Sequence, residues 1–313
     1  MQKSLSRLAA VVGLATVACG EAPTVFTYAG VDVNGDMTAK VDINGDERIY
    51  VVHIPASVTA EVPAPLLLAF HGAGQSGPSF RSFTGIDTAA DARGFITVFP
   101  STYSIFNWAV GSITSADTAG IDDMKFVREI LDQLTRDLNI DADRIFATGV
   151  SNGAVFTHRL GCQMGGRFAG IASVAATMLE NISNGCDANP AVAALFAHGT
   201  DDAFFKWEGE SEAGGQVVLL SANDMVSRWA SRNDCNPTPS VEAIPDTDDD
   251  GTSSERRLHG TCSSGAEVVF YAITGGGHTW PGAGTGSATF GNVSQDFDVN
   301  EEMLDFFESV ERP

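Results

Sequence analysis

Gly149-Val150-Ser151-Asn152-Gly153 sets a serine between two glycines, directly after an apolar run at 145–148 and directly before a helical pattern at 154–160. A strand-to-helix turn this sharp forces the serine into a strained backbone conformation and lifts its hydroxyl off the end of a sheet at a helix N-terminus. A lone serine hydroxyl is a weak nucleophile near neutral pH, so the pattern calls for a general base and for a carboxylate that orients the base. In folds with such a turn the chain order is serine, acid, histidine. Downstream of Ser151, and beyond the helical pattern that follows it, lie His198, His259 and His278. His278 sits in Gly275-Gly276-Gly277-His278-Thr279-Trp280-Pro281-Gly282, directly after the last apolar run, in a glycine loop free to swing an imidazole toward the serine. His259 lies in a charged segment and is expected at the surface. His198 precedes the candidate acids and is set aside on chain order.

For the acid, His198-Gly199-Thr200-Asp201-Asp202 follows the run at 193–197, and chain position leaves Asp201 and Asp202 both open. Acyl chemistry also needs backbone N–H groups aimed at the charge that develops on the carbonyl oxygen. Asn152, next after the nucleophile, is expected to supply one. His71-Gly72-Ala73-Gly74 follows another apolar run and is expected to supply the second from Ala73. This chemistry needs no cofactor. No His/Cys cluster has zinc spacing. Asp32-Val33-Asn34-Gly35-Asp36 and Asp42-Ile43-Asn44-Gly45-Asp46 resemble calcium loops, but their sixth and twelfth positions hold Met37 and Ile43, and Glu47 and His53, so both read as turns.

These residues need a frame. Six short apolar runs, at 66–70, 95–99, 145–148, 171–175, 193–197 and 268–273, suit strands buried on both faces of a parallel sheet. Helical patterns lie between them: Phe126, Ile130, Leu131, Leu134 and Leu138 behind Asp122-Asp123, then 154–160, 221–232 and 301–309. Segments 39–43 and 48–54 flank Asn44-Gly45-Asp46 as a hairpin. The alternation predicts an α/β fold with a doubly wound, mainly parallel sheet.

The chain has 313 residues, enough for one large α/β domain, and a formal net charge of −22. That charge excludes electrostatic affinity for nucleic acid or anionic lipid. Lys3 and Arg7 precede an apolar stretch at 8–18, too short to span a bilayer. Ala18-Cys19-Gly20 then reads either as an ordinary cleavage site or as a lipoprotein site with Cys19 lipidated, and both readings stand. The expected organisation is a signal peptide at 1–20, an extension at 21–37 and one catalytic domain at 38–313, with no membrane span. The location is extracellular or in the cell envelope. Beyond Cys19, four cysteines remain, an even number that in an exported chain predicts disulfides. Pairing neighbours gives Cys162–Cys186 and Cys235–Cys262, each stabilising by about 3–4 kcal/mol in the chain-entropy model.

Together, Ala69-Phe70-His71-Gly72-Ala73-Gly74-Gln75-Ser76-Gly77, Thr148-Gly149-Val150-Ser151-Asn152-Gly153-Ala154, Arg159-Leu160-Gly161-Cys162, His198-Gly199-Thr200-Asp201-Asp202 and 275–282 resemble the secreted polyhydroxybutyrate depolymerase and feruloyl esterase family of α/β-hydrolases. The resemblance runs from about residue 38 to the C-terminus. It implies the α/β-hydrolase fold and the second aspartate, Asp202, as the acid. The family's later Asn-x-Cys is matched by Asn233-Asp234-Cys235. Two segments depart from the family: Ala203 and Lys206-Trp207 stand where it carries prolines, and the Pro-rich run after Gly282 is missing.

The resemblance implies a serine esterase acting on small or oligomeric carboxylic esters, either feruloyl or acetyl esters of plant polysaccharide or hydroxyalkanoate oligomers. A depolymerase of solid polyhydroxybutyrate is less favoured, because the catalytic domain leaves little chain for a polymer-binding module. A serine peptidase, or a surface lipoprotein that binds without catalysis, is disfavoured by the complete set Ser151, Asp202, His278, Ala73 and Asn152.

Overall fold

The computed structural model describes residues 27–28, 31–32, 35–103, 107–112, 114–186, 190–211 and 217–312. The expected signal segment, Cys19 included, lies outside them. Among the described residues, ten strands form one sheet. They are β1 (Gly35–Ile43), β2 (Asp46–Ile54), β3 (Ala64–Phe70), β4 (Ile96–Pro100), β5 (Ile140–Val150), β6 (Gly170–Val174), β7 (Ala193–Gly199), β8 (Ser240–Ala243), β9 (Ser253–His259) and β10 (Val268–Thr274). Their spatial order is β8-β9-β10-β7-β6-β5-β3-β4-β2-β1. The six apolar runs became the six mutually parallel strands, β10 through β4 in that order. The antiparallel pairs lie at the two edges.

Burial explains why those runs became strands. β3, β4, β6 and β7 are buried at every residue. Alternation then sends Leu66, Leu68 and Phe70 into one core with Phe126, Ile130, Phe156 and Trp229. Leu67 and Ala69 enter the other, with Phe95, Phe146, Leu304 and Phe307. Helices α1 (Gly77–Thr84), α2 (Ile86–Asp91), α3 (Asp123–Asp137), α4 (Asn152–Gln163), α5 (Ala222–Arg232) and α6 (Val299–Glu308) supply these two layers. This is the α/β-hydrolase architecture.

Three local expectations change. First, β1 begins at Gly35, ahead of the strand expected at 39–43. Asn44 (φ 59°) and Gly45 (φ 97°) both take positive φ, the geometry of a two-residue hairpin turn, which lets β1 and β2 pair along nine residues each. Second, Asp122 caps α3 by accepting from the Lys125 N–H, but its neighbour Asp123 turns inward. Its carboxylate lies 2.7 Å from the Arg48 guanidinium, and the pair is buried. Burial pushes the Asp123 carboxyl up, against the pull of Arg48. Third, His259 is not a surface residue. It ends β9, is buried, and bonds the Asn236 carbonyl through Nδ1 at 2.9 Å. The charged residues of the segment, Glu255, Arg256 and Arg257, are themselves half-buried in a paired strand, and Glu255 and Arg257 share the His259 face.

Disulfides join Cys162 to Cys186 and Cys235 to Cys262. The first ties α4 to the chain leading into β7, and the second clasps the end of α5 to the turn before β10. Among the described residues, no helix is long and apolar enough to cross a membrane.

Candidate active site

Ser151, Asp202 and His278 follow the C-terminal ends of β5, β7 and β10, the edge at which open α/β sheets carry their sites. Ser151 stands between β5 and α4 at φ 56° and ψ −126°, a left-handed conformation a non-glycine residue adopts only under constraint. The constraint is visible. Its N–H is tied to the Val174 carbonyl at 3.1 Å, and its own carbonyl accepts from Val155 as α4 begins. The flanking glycines leave no room for a side chain. A Cβ on Gly153 would strike the carbonyls of Phe70 and His71, and one on Gly149 would strike the Gly153 backbone. The serine turn and the end of β3 are therefore in backbone contact.

That contact brings in the loop after β3. A Cβ on Gly72 would lie 3.4 Å from the Ser151 Cβ. The His71 ring is buried. Its Nε2 accepts from the Thr102 N–H at 3.2 Å, so the ring proton sits on Nδ1, which donates to the Gly72 carbonyl at 2.8 Å. Burial, the larger cause, and the nearby Arg48 hold this imidazole below its ordinary pKa, which keeps the tautomer neutral. A trans peptide points its C=O and N–H in opposite directions. Fixing the Gly72 carbonyl toward the His71 ring therefore turns the Ala73 N–H away from it. The Gln75 side chain accepts from the Gly72 N–H at 2.9 Å and completes the loop. Asn152 opens α4. Its side chain accepts from the Trp108 N–H at 2.6 Å, and Trp108 in turn donates from its indole to the His71 carbonyl at 2.9 Å.

The acid and base lie on two loops stitched by backbone bonds: Thr200 N–H to the Ile273 carbonyl and Asp201 N–H to the Gly276 carbonyl, both at 2.9 Å. Asp202 is buried, while Asp201 is exposed. The Asp202 Oδ2 lies 2.8 Å from Nδ1 of His278. Its Oδ1 accepts from the Phe204 and Phe205 N–H groups, each at 2.8 Å. An ionised carboxylate only accepts, so Nδ1 of His278 carries the proton and Nε2 is left as the ring's lone-pair nitrogen.

His198, set aside on chain order, belongs to this cluster. It is buried, and its Nδ1 lies 4.0 Å from the Asp202 Oδ2. Its Nε2 donates to the Phe205 carbonyl at 2.8 Å, bracing the turn whose N–H groups hold the acid. Burial pushes His198 down, partly opposed by the Asp202 charge. Chain order weighs His198 only as a base, and its place directly ahead of Asp201-Asp202 in His198-Gly199-Thr200-Asp201-Asp202 is the signal for this other role. Around His278 stand three phenylalanine rings: Phe204 at 4.9 Å, Phe205 at 5.8 Å and Phe290 at 6.2 Å between centroids. Among the described residues, no group of three His, Cys, Asp or Glu residues could hold a metal ion.

Comparison with known proteins bears on this arrangement. No protein-family model matches the chain. The putative esterase NocK of Nocardia uniformis subsp. tsuyamanensis is 28% identical over 78% of this chain and 73% of its own length. Feruloyl esterase B of Piromyces equi is 27% identical over 74% of this chain, which spans 42% of that protein. Poly(3-hydroxyalkanoate) depolymerase C of Paucimonas lemoignei is 26% identical over 77% of this chain and 61% of its own length. Among solved structures, the acetyl xylan esterase of Aspergillus awamori superposes with a TM-score of 0.61 at 16% identity, covering 87% of this chain and 99% of that one, which establishes the shared fold. The relatives are thus named as esterases and as a polyester depolymerase.

Proposed function

We infer from the site and its esterase relatives together that this α/β-hydrolase-fold chain is a carboxylic ester hydrolase, and we propose that it works through an acyl-enzyme on Ser151. The observation that carries the proposal is the Asp202–His278 hydrogen bond, 2.8 Å long, on the same sheet edge as a serine held at φ 56°. His278 takes the Ser151 proton on Nε2 as Oγ attacks the ester carbonyl. Asp202 fixes the tautomer and stabilises the imidazolium that forms. The N–H groups of Ala73 and Asn152 receive the oxyanion. Nε2 then hands the proton to the leaving alcohol oxygen as the C–O bond breaks. Water, activated by the same imidazole, releases the acid.

The finer substrate reading is feruloyl or acetyl esters of plant polysaccharide, or hydroxyalkanoate oligomers, after the names of the relatives. The chain is exported and its signal segment removed, with the catalytic domain in the residues that follow. The two disulfides support an oxidising destination. Mass spectrometry of the mature N-terminus decides between free secretion and lipidation at Cys19. Methyl ferulate, p-nitrophenyl acetate and hydroxybutyrate oligomers, assayed on the purified protein, test the activity. Turnover of none of them overturns it.

A further inference from the structure

Phe204 and Phe290 are each 49% exposed, unusual for rings this size beside a buried acid. They stack on each other at 5.6 Å and 27°, and both flank the His278 ring. Neither position is needed to hold the acid through its side chain. Phe204 serves Asp202 through its backbone N–H, and Phe290 receives the His278 N–H on its carbonyl at 2.6 Å. The backbones do the positioning, and the rings are left facing solvent.

We propose that the Phe204–Phe290 pair is the subsite for the leaving alcohol and that it selects a flat, CH-rich ring, a neutral sugar. The proposal rests on the serine-esterase reading, and the logic is mechanistic. In acyl-enzyme formation the catalytic imidazole passes its proton to the leaving oxygen, so Nε2 must touch that oxygen. Asp202 occupies Nδ1, which leaves Nε2 for that oxygen, and Phe204 and Phe290 are the half-exposed rings packed on that imidazole. An offset-stacked pair presents a flat face of negative π density, which is complementary to the polarised C–H groups on the face of a sugar ring. A methyl or short alkyl alcohol covers little of that face. The net charge of −22 disfavours an acidic sugar.

The test compares esters of one acyl group with three alcohols, methanol, n-butanol and arabinose, in whichever of the feruloyl or acetyl series the wild type turns over faster. The readout is the ratio of kcat/KM for the sugar ester to that for the methyl ester, which cancels any general effect on the acid or base. Phe204→Ala and Phe290→Ala should each lower this ratio about tenfold, the scale of one lost aromatic contact. Phe290→Trp should hold it, and the butyl-to-methyl ratio should move less. If both alanine variants keep the sugar-to-methyl ratio within about twofold of wild type, the subsite assignment is wrong while the esterase reading stands. If the butyl-to-methyl ratio falls as far as the sugar ratio, the surface is merely apolar and the sugar assignment is overturned. If the wild type turns over none of the esters in either series, the serine-esterase reading itself fails and the subsite falls with it.

Discussion

The two halves of the site are built from different materials. On the serine side, polar groups are buried and paired: the His71 ring is locked between Thr102 and Gly72, and Trp108 bridges His71 to Asn152. On the base side, the acid is equally well held, but His278 is wrapped in phenylalanine rings, two of them half exposed. A group that must meet developing charge at a fixed point needs a rigid, fully bonded support. A group that must meet varied leaving alcohols is bordered by surfaces that bond nothing and fit by shape. The contrast separates machinery for chemistry from machinery for choice.

The contrast can be broken most decisively at its centre. Ser151→Ala should remove ester hydrolysis, a loss on the order of 10⁶ in kcat by the nearest precedent, and a fluorophosphonate should label Ser151 in the wild type alone. Labelling at another serine refutes the assignment. Next, Asp202→Asn should lower kcat by about 10⁴, since the wrong imidazole tautomer results, whereas Asp201→Asn, at an exposed position, should change it by no more than about threefold. The reverse result moves the acid to Asp201.

On the serine side, His71→Asn should cost kcat about 10²–10³-fold, the scale of one lost oxyanion donor, with KM nearly unchanged. A rise in KM at constant kcat would instead make His71 a binding residue. The smallest effect concerns stability. His158 is fully buried, and desolvation pushes it down to about 3. Below the ordinary imidazole value of about 6.5 the unfolded chain takes up a proton that the folded one refuses, so stability falls with pH until about 3 and then levels off. His71 and His198, also lowered by burial, add to the same trend. Denaturant midpoints should therefore drop between pH 7 and pH 5. His158→Gln should flatten that slope, and an unchanged slope in this variant removes His158 from the account.

What the sequence revealed follows from the same physics. The six parallel strands were legible because burial on both faces demands uninterrupted apolar runs. β8 and β9 were not: β8 is exposed at every residue, and β9 reads Ser-Ser-Glu-Arg-Arg-Leu-His, with charges on both faces of an edge hairpin. α1 went unread for want of an apolar stripe. Yet its capping box at Ser76 and Ser79, Pro78 in its first turn and Gly85 at its C-cap were all in the sequence. Ser151 and His278 stood out because glycines must surround them. Asp201 and Asp202 could not be separated, since adjacent residues in a turn differ only in which way the backbone aims them. His198 was tested only as a base and His71 only as part of a glycine-rich loop, and neither test asks whether a buried histidine braces the backbone beside it.

The turn after Asp202 has one more consequence. Both bonds to the Asp202 Oδ1 come from main-chain N–H groups, of Phe204 and Phe205, and every amino acid except proline carries that donor. Mutation can therefore rewrite the side chain at 204, and those at the neighbouring exposed positions 203 and 206, without disconnecting the acid. Drift is tolerated where it alters substrate preference and punished where it would reach the catalytic carboxylate. Ala203 and Lys206, where this chain departs from the family it resembles, fall in that permissive stretch, whereas Trp207 stacks on the buried His198. For directed evolution, a library randomised at 203, 204 and 206, with proline excluded at 204, would sample new specificities on an intact catalyst.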